Sequence, residues 1–257
     1  MPGQAPRPGW ATVHEAAVAL VEAAVARGHL LRLVGSTGIR LHCAPAAEAL
    51  DRLGRPAKDI DVICRHEDRK GLRRLLEERG WQVDRDLLVA MEGRRYAFHH
   101  PVSGLELDVF VDRLEFCHTI ELRDRLERRA TTVPVEDLLL QKLQIVRQTV
   151  TDRMDAAAVL ATHPVGDAGD PGEVIDPAYV AGLLARDWGF HHTATANLAA
   201  LREGPPANGS GAAVVERVDA LLAAIEAAPK SVRWRARARV GERLQWWQDV
   251  DEREAVY

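Results

Sequence analysis

Lys58-Asp59-Ile60-Asp61-Val62-Ile63, KDIDVI, places two acids one residue apart inside a run that otherwise has the character of a buried strand. Successive side chains on a β-strand point to opposite faces, so Asp59 and Asp61 share one face while Ile60 and Val62 share the other. Two carboxylates held side by side repel unless a cation neutralises them, and a divalent metal is the simplest candidate. The plainer alternative is a strand end at the sheet rim, with both acids solvated or paired to Lys58 and Arg65.

Mg²⁺ takes oxygen ligands and is commonly held by one or two carboxylates together with substrate phosphates, so a third acid is worth seeking. The run LELDVFVD offers Glu106, Asp108 and Asp112 on one face, opposite Leu105, Leu107, Val109 and Val111. Asp108 is the choice because it lies mid-strand, where a carboxylate most needs a partner. Upstream of KDIDVI stands Gly35-Ser36, followed by Thr37 and Gly38, at the end of the apolar run LLRLV. Backbone N–H groups at such a helix entry meet phosphate oxygens, Ser36 can donate a hydrogen bond, and Gly35 removes the Cβ that would block the approach. As a bare turn, the same pair needs no function.

Outward from these motifs, Thr12 to Ala26 carries apolar residues at helical spacing and stops at Gly28. LLRLV reads as a strand, a helix is expected from Ala44 to Leu53, KDIDVIC is the second strand, and EDRKGLRRLLEERG is a helix closed by Gly80. WQVD, LLVAM, RRYAFHH and LELDVFVD are expected as strands. From Pro134, suited to a first helical turn, VEDLLLQKLQIV and MDAAAVLATH have helical periodicity, and no convincing strand comes after them. HPVGDAGDPGEVIDP and REGPPANGSGA read as exposed connections. The expected architecture is α+β: a small mixed sheet within residues 1–133, then an all-helical half, 134–257.

The 257 residues are 47% hydrophobic and 28% charged, with a net charge of −4, the composition of a globular protein with no global pull towards nucleic acid or membrane. MPGQAPRPGW lacks the pattern of a secretory leader and no run is long enough to span a bilayer, so a cytoplasmic location is expected. Cys43, Cys64 and Cys117, odd in number and irregular in spacing, are expected as free thiols.

Gly35-Ser36, then Asp59-Ile60-Asp61, then Asp108 on a later strand, resembles the nucleotidyltransferase superfamily that includes DNA polymerase β and the antibiotic nucleotidyltransferases. The resemblance implies a nucleotidyltransferase core in the α/β part, a GS turn that holds a triphosphate, and three acids that hold two Mg²⁺ ions. More locally, RPAKDIDV, PVEDLLLQKLQIV and TDRMDAAAVL look like bacterial proteins that include type IV toxins of the AbiEii and MenT kind. In those, a lysine on a helix after the core and an acidic pair opening the next helix belong to the active site, which implies roles for Lys142, Asp152 and Asp155. The resemblance covers Leu31 to His163. Gly35 and Asp59 are 24 positions apart, more than the spacing of the compact antibiotic enzymes, and Arg40, Arg55 and Lys58 in that longer segment are candidates for phosphate contacts. Lys142 would stabilise a triphosphate and its leaving pyrophosphate; as plain sequence it also fits an ordinary surface lysine. Asp152 also fits a first-turn helix acid.

The same resemblance implies an NTP-dependent, ATP-binding-type transferase that moves a nucleoside monophosphate to an acceptor hydroxyl on tRNA, protein or a small molecule, with a toxin role among the possibilities. Asp59, Asp61 and Asp108 would hold the metals, and Asp108 could also take the hydroxyl proton. Two other readings stay open: a non-catalytic nucleotide- or RNA-binding module with the same fold, and a metal-dependent phosphohydrolase.

His42-Cys43, Cys64-Arg65-His66, His99-His100 and Cys117-His118 lack the spacing of zinc ligands. The segment KSVRWRARARVGERLQWW interleaves basic and aromatic residues; the favoured reading is an amphipathic helix with inward tryptophans and solvated arginines, the other a polynucleotide surface. DWGFHH reads as a helix ending at Gly189 with an aromatic cluster behind it.

Overall fold

The computed structural model describes residues 10–43, 59–166, 173–204 and 211–249, so the helix expected from Ala44 to Leu53, and Arg55 and Lys58, lie outside the described residues. The chain packs into two compact units, Met1–Leu114 with Glu121–Val133, and Glu115–Ile120 with Pro134–Tyr257.

The first unit is built on a five-stranded mixed sheet of order β1-β2-β5-β4-β3. Its strands are β1 (Leu31–Leu33), β2 (Asp59–Cys64), β3 (Gln82–Val83), β4 (Arg95–His99) and β5 (Glu106–Val111). Only the central pair, β2 with β5, is parallel; β1 runs antiparallel to β2, and β4 to both β5 and β3. The apolar row of KDIDVIC, namely Ile60, Val62 and Cys64, joins Leu107, Val109 and Val111 in one core. Two helices supply the opposing layer of that core: α1 (Trp10–Val25) with Val13, Ala17, Leu20 and Val21, and α3 (Arg69–Glu78) with Leu72, Leu75 and Leu76. Each fully buried Leu or Val contributes about 1.5–3 kcal/mol, which locks the register and thereby forces every second residue of β2 and β5 to the other face. Between β1 and β2 runs α2 (Gly35–His42). A parallel bridge from Leu33 to Thr132 adds one further extended segment beside β1.

One strand expectation is corrected. LLVAM is not a strand but most of α4 (Arg85–Ala90), because the Asp84 carboxylate accepts from the N–H groups of Asp86 and Leu87 and caps a helical turn. A small hairpin, β6 (Arg113–Glu115) and β7 (Thr119–Glu121), has no counterpart among the expected strands.

The second unit is helical: α5 (Val135–Leu143), α6 (Val150–Thr162), α7 (Pro177–Leu184), α8 (Trp188–Glu203), α9 (Gly211–Ala227) and α10 (Val232–Val240). Pro134 sits at the N-cap of α5 rather than inside its first turn. Along α9, Val214, Val218, Leu221 and Ile225 form one buried stripe against α7, α8 and α6. DWGFHH opens a helix instead of ending one: Asp187 caps α8 by accepting from Phe190 N–H. Gly189 is there for space, since a Cβ would stand 2.5 Å from the Trp246 carbonyl oxygen. Cys43, Cys64 and Cys117 are buried and form no disulfide among the described residues. Among the described residues no helix is long and apolar enough to cross a membrane.

Candidate metal and phosphate site

Asp61 and Asp108 are direct partners across the parallel β2–β5 pair, and Asp59 lies two residues earlier on the same face, opposite Glu106. One carboxylate oxygen from each of Asp59, Asp61 and Asp108 lies within 4.8 Å of the other two, and all three residues are half-buried. The pleat explains the gathering: the apolar row fills the core beneath α1 and α3, and the acids are what remains on the reverse face.

Gly35, the first residue of α2, meets this cluster. Its φ is 64°, a left-handed conformation that favours glycine, and an added Cβ would overlap the Asp61 carboxylate oxygen and stand 2.8 Å from its Cγ. The helix start therefore abuts the carboxylate directly, with the positive end of the helix dipole next to a negative group. Two bonds fix that approach. Val34 N–H donates to the Asp61 carbonyl at 3.0 Å, and the fully buried Thr37 donates its hydroxyl to the Asp59 carbonyl at 3.1 Å. Ser36 comes next to Gly35 in the first turn of α2.

Sequence reasoning misses Arg95. It grips Asp108 through both oxygens, Nε to Oδ1 at 3.2 Å and Nη2 to Oδ2 at 3.0 Å, and its guanidinium lies 5.2 Å from the Phe110 ring centroid. A two-point bond of this kind orients the carboxylate as well as balancing its charge. The contact depends on β4 pairing with β5 in the register Ala97 to Asp108, which no local pattern of residues reveals. Thr37 likewise stands in the sequence only as a neighbour of the GS pair.

The other candidates are placed differently. Asp112 leaves the cluster: it has φ 63° beyond the end of β5, and its Oδ1 accepts from His66 N–H and Arg123 Nη1, both at 3.0 Å. Arg40 is 2% exposed within α2, so its guanidinium faces protein. Lys142, on α5 in the helical unit, holds Asp152 at 3.0 Å and Asp155 at 3.1 Å. Asp155 is fully buried, and Asp152 also closes a capping box with Thr149 at the start of α6. Burial works against the ionised form of Asp152, but the Lys142 ammonium and the Thr149 hydrogen bonds outweigh it and hold its carboxyl below the ordinary value. Lys142 is thus no ordinary surface lysine.

Three hard oxygen donors gathered at one spot, one of them seated in the space that Gly35 leaves without a Cβ, suit a small divalent cation such as Mg²⁺. The start of a helix such as α2 suits an oxygen-rich anion.

No protein-family model and no curated protein matches the chain. Among solved structures, it is similar to an antigenic nucleotidyltransferase-like protein from Paracoccidioides brasiliensis, at 13% identity and a TM-score of 0.44, covering 89% of this chain and 98% of that one. It is also similar to the antibiotic-resistance factor ANT(2'')-Ia, at 14% identity and a TM-score of 0.38, covering 91% and 99%. At these values the likeness says nothing about the site, whose reading rests on the residues described above.

Proposed function

We propose that the protein is a metal-dependent nucleotidyltransferase that moves a nucleoside monophosphate from an NTP to an acceptor hydroxyl. The observation that carries this reading is the convergence of Asp59, Asp61 and Asp108 beside the start of α2 at Gly35-Ser36. Bound at the three carboxylates, Mg²⁺ would lower the pKa of the acceptor hydroxyl and neutralise charge on the leaving pyrophosphate.

The chain's own residues supply the rest. The N–H groups and the Ser36 hydroxyl at the start of α2 cradle the triphosphate, and Gly35 lets the Asp61 carboxylate lie against that helix start. Asp108 takes the proton as the acceptor oxygen bonds to the α-phosphorus and the bond to the pyrophosphate oxygen breaks, the electron pair leaving with pyrophosphate. Arg95 keeps Asp108 in place for this. Thr37 and Gly35 tie the triphosphate cradle to the acids, so both reactants meet at a fixed separation. In this reading residues 1–133 carry the chemistry and residues 134–257 serve the acceptor.

Incubating the protein with each α-labelled NTP, Mg²⁺ and a cell extract tests the proposal. Label is expected in one of three acceptor classes, RNA, protein or small molecules. Release of phosphate or free nucleotide with no labelled acceptor would instead favour a phosphohydrolase. A toxin role predicts growth arrest on expression that Asp59→Asn and Asp61→Asn abolish.

A further inference from the structure

Within the helical unit, α10 and the turn after it carry a surface that the proposed transfer chemistry does not use. Residues 230–243 hold six cations, Lys230, Arg233, Arg235, Arg237, Arg239 and Arg243, against one acid, Glu242, in a chain whose formal net charge is −4. No residue of α10 is fully buried, and its Trp234 packs edge to face on His191 at 5.0 Å. Arg233, Arg235, Arg239 and Arg243 are exposed, and among the described residues none of the four is paired with a carboxylate. Arg235 and Arg239 stand one helical turn apart on one side. Arg239 and Arg243 line an open cavity of about 520 Å³ together with Trp188, Val240, Gly241 and the one acid, Glu242.

The remaining charges and rings of this region hold that surface in shape. Arg237 lies 4.7 Å from the Trp188 ring centroid and donates to the carbonyls of Gly241 and Leu244, at 2.6 and 2.7 Å. His192 stacks on Trp188 at 5.0 Å, and Trp246 and Trp247 continue the cluster edge to face. Trp246 Nε1 donates to the Thr193 hydroxyl at 3.1 Å, which pins the segment after α10 to α8. The arginines are therefore displayed on an aromatic scaffold and are not a loose tail.

We propose that this surface binds single-stranded nucleic acid, with Arg235, Arg239 and Arg243 on the phosphates and Trp188, which lines the same cavity as Arg239 and Arg243, beside a base. Guanidinium groups pair with phosphate oxygens through two parallel bonds, and grooves that combine cations with aromatic rings are how single strands are held. A membrane fits less well, because an interfacial helix needs an apolar face and α10 buries none and has arginines on two sides. The proposal goes beyond the transfer reading and stands without it, since every residue named belongs to the helical unit.

Fluorescence anisotropy of a labelled oligouridylate, titrated with the full chain at several salt concentrations, tests it. The wild type is expected to bind, with affinity falling as salt rises. Charge reversal, R235E/R239E/R243E, should weaken binding by about tenfold or more and flatten the log–log salt slope by about two, from roughly 0.7 per phosphate contact. R235Q/R239Q/R243Q, which reverses no charge, should weaken binding in the same direction, and its helical circular dichroism should match the wild type. Asp61→Asn should bind like the wild type, so loss of transfer and loss of this surface read out separately. Failure of the wild type to bind at low salt, unchanged binding by either triple variant, or loss of binding in Asp61→Asn would each overturn the assignment. Equal binding to phosphatidylserine vesicles would overturn it too.

Discussion

Two groups of acids sit in the two units, and they differ in how their charge is balanced. On the strand face, Asp59, Asp61 and Asp108 are half-buried and arranged around a point between them. In the helical unit, Asp155 is wholly buried, Asp152 is held in a capping box, and one ammonium, that of Lys142, is wedged between them at 3.0 and 3.1 Å. The first group suits an exchangeable cation. Arg95 already engages Asp108 in the first, whereas the second has an ammonium between its two acids, and its geometry joins α5 to α6. Similar residue types thus suit an exchangeable site in one unit and form a structural lock in the other.

Breaking the lock should give the largest effect on stability. Lys142→Ala strands the buried carboxylate of Asp155, a loss of about 3–5 kcal/mol, visible as a lower midpoint in chemical denaturation. Adding Asp155→Asn should return part of that loss, because the pair and not either residue alone sets the cost. Additive losses in the double variant would show that Lys142 and Asp155 act independently.

Acid extends the contrast from another side. In the helical unit His118 is buried, stacked on Phe190 at 5.0 Å, and 2.9 Å from the Thr193 hydroxyl; burial holds its pKa down to about 4. Burial, and after it the nearby Lys230 charge, also lowers the pKa of His191. An unfolded histidine takes up its proton near pH 6.5, before the folded one does, so protons favour unfolding across the window between the two values. Stability should fall as pH drops from about 6.5 to about 4, by up to about 3 kcal/mol for His118. A His118→Gln variant should show a shallower decline in urea titrations across that range.

Smaller effects on stability are expected on the strand face, where the proposed function makes the main consequence a catalytic one. Gly35→Ala forces a side chain into a left-handed backbone and into the Asp61 carboxylate, at about 1–3 kcal/mol, and nucleotidyl transfer should drop far more than stability does. Thr37→Val removes the hydroxyl that donates to the Asp59 carbonyl, worth about 1 kcal/mol. Its transfer rate should fall with little change in NTP affinity, as measured by kcat against KM.

The strand face is legible in the sequence because the signal is local. In DIDVI and LELDVFV a period of two separates acids from apolar residues, and the pleat carries that period directly into space. Gly35 is legible for a similar reason, as a glycine at the junction of an apolar run and a helix. Arg95 is not, since its bond to Asp108 exists only once β4 and β5 pair in register. LLVAM misleads because a short apolar run has no period of its own, and the deciding residue, Asp84, lies outside it as a helix cap. In DWGFHH the glycine that reads as a helix terminator is a packing glycine under the Trp246 carbonyl, a contact between segments far apart in the chain. Lys142 stands out through the resemblance, but its two carboxylate partners depend on how α5 packs on α6.

Whether Asp59, Asp61 and Asp108 form one cation site can be measured without knowing the acceptor, by calorimetric titration of Mn²⁺, in place of Mg²⁺, into the wild type and the three single Asp→Asn variants. The wild type should bind, and each variant should bind about tenfold or more weakly, with thermal unfolding midpoints close to the wild type. Equal Mn²⁺ binding by all four proteins, or none by the wild type, would refute the site.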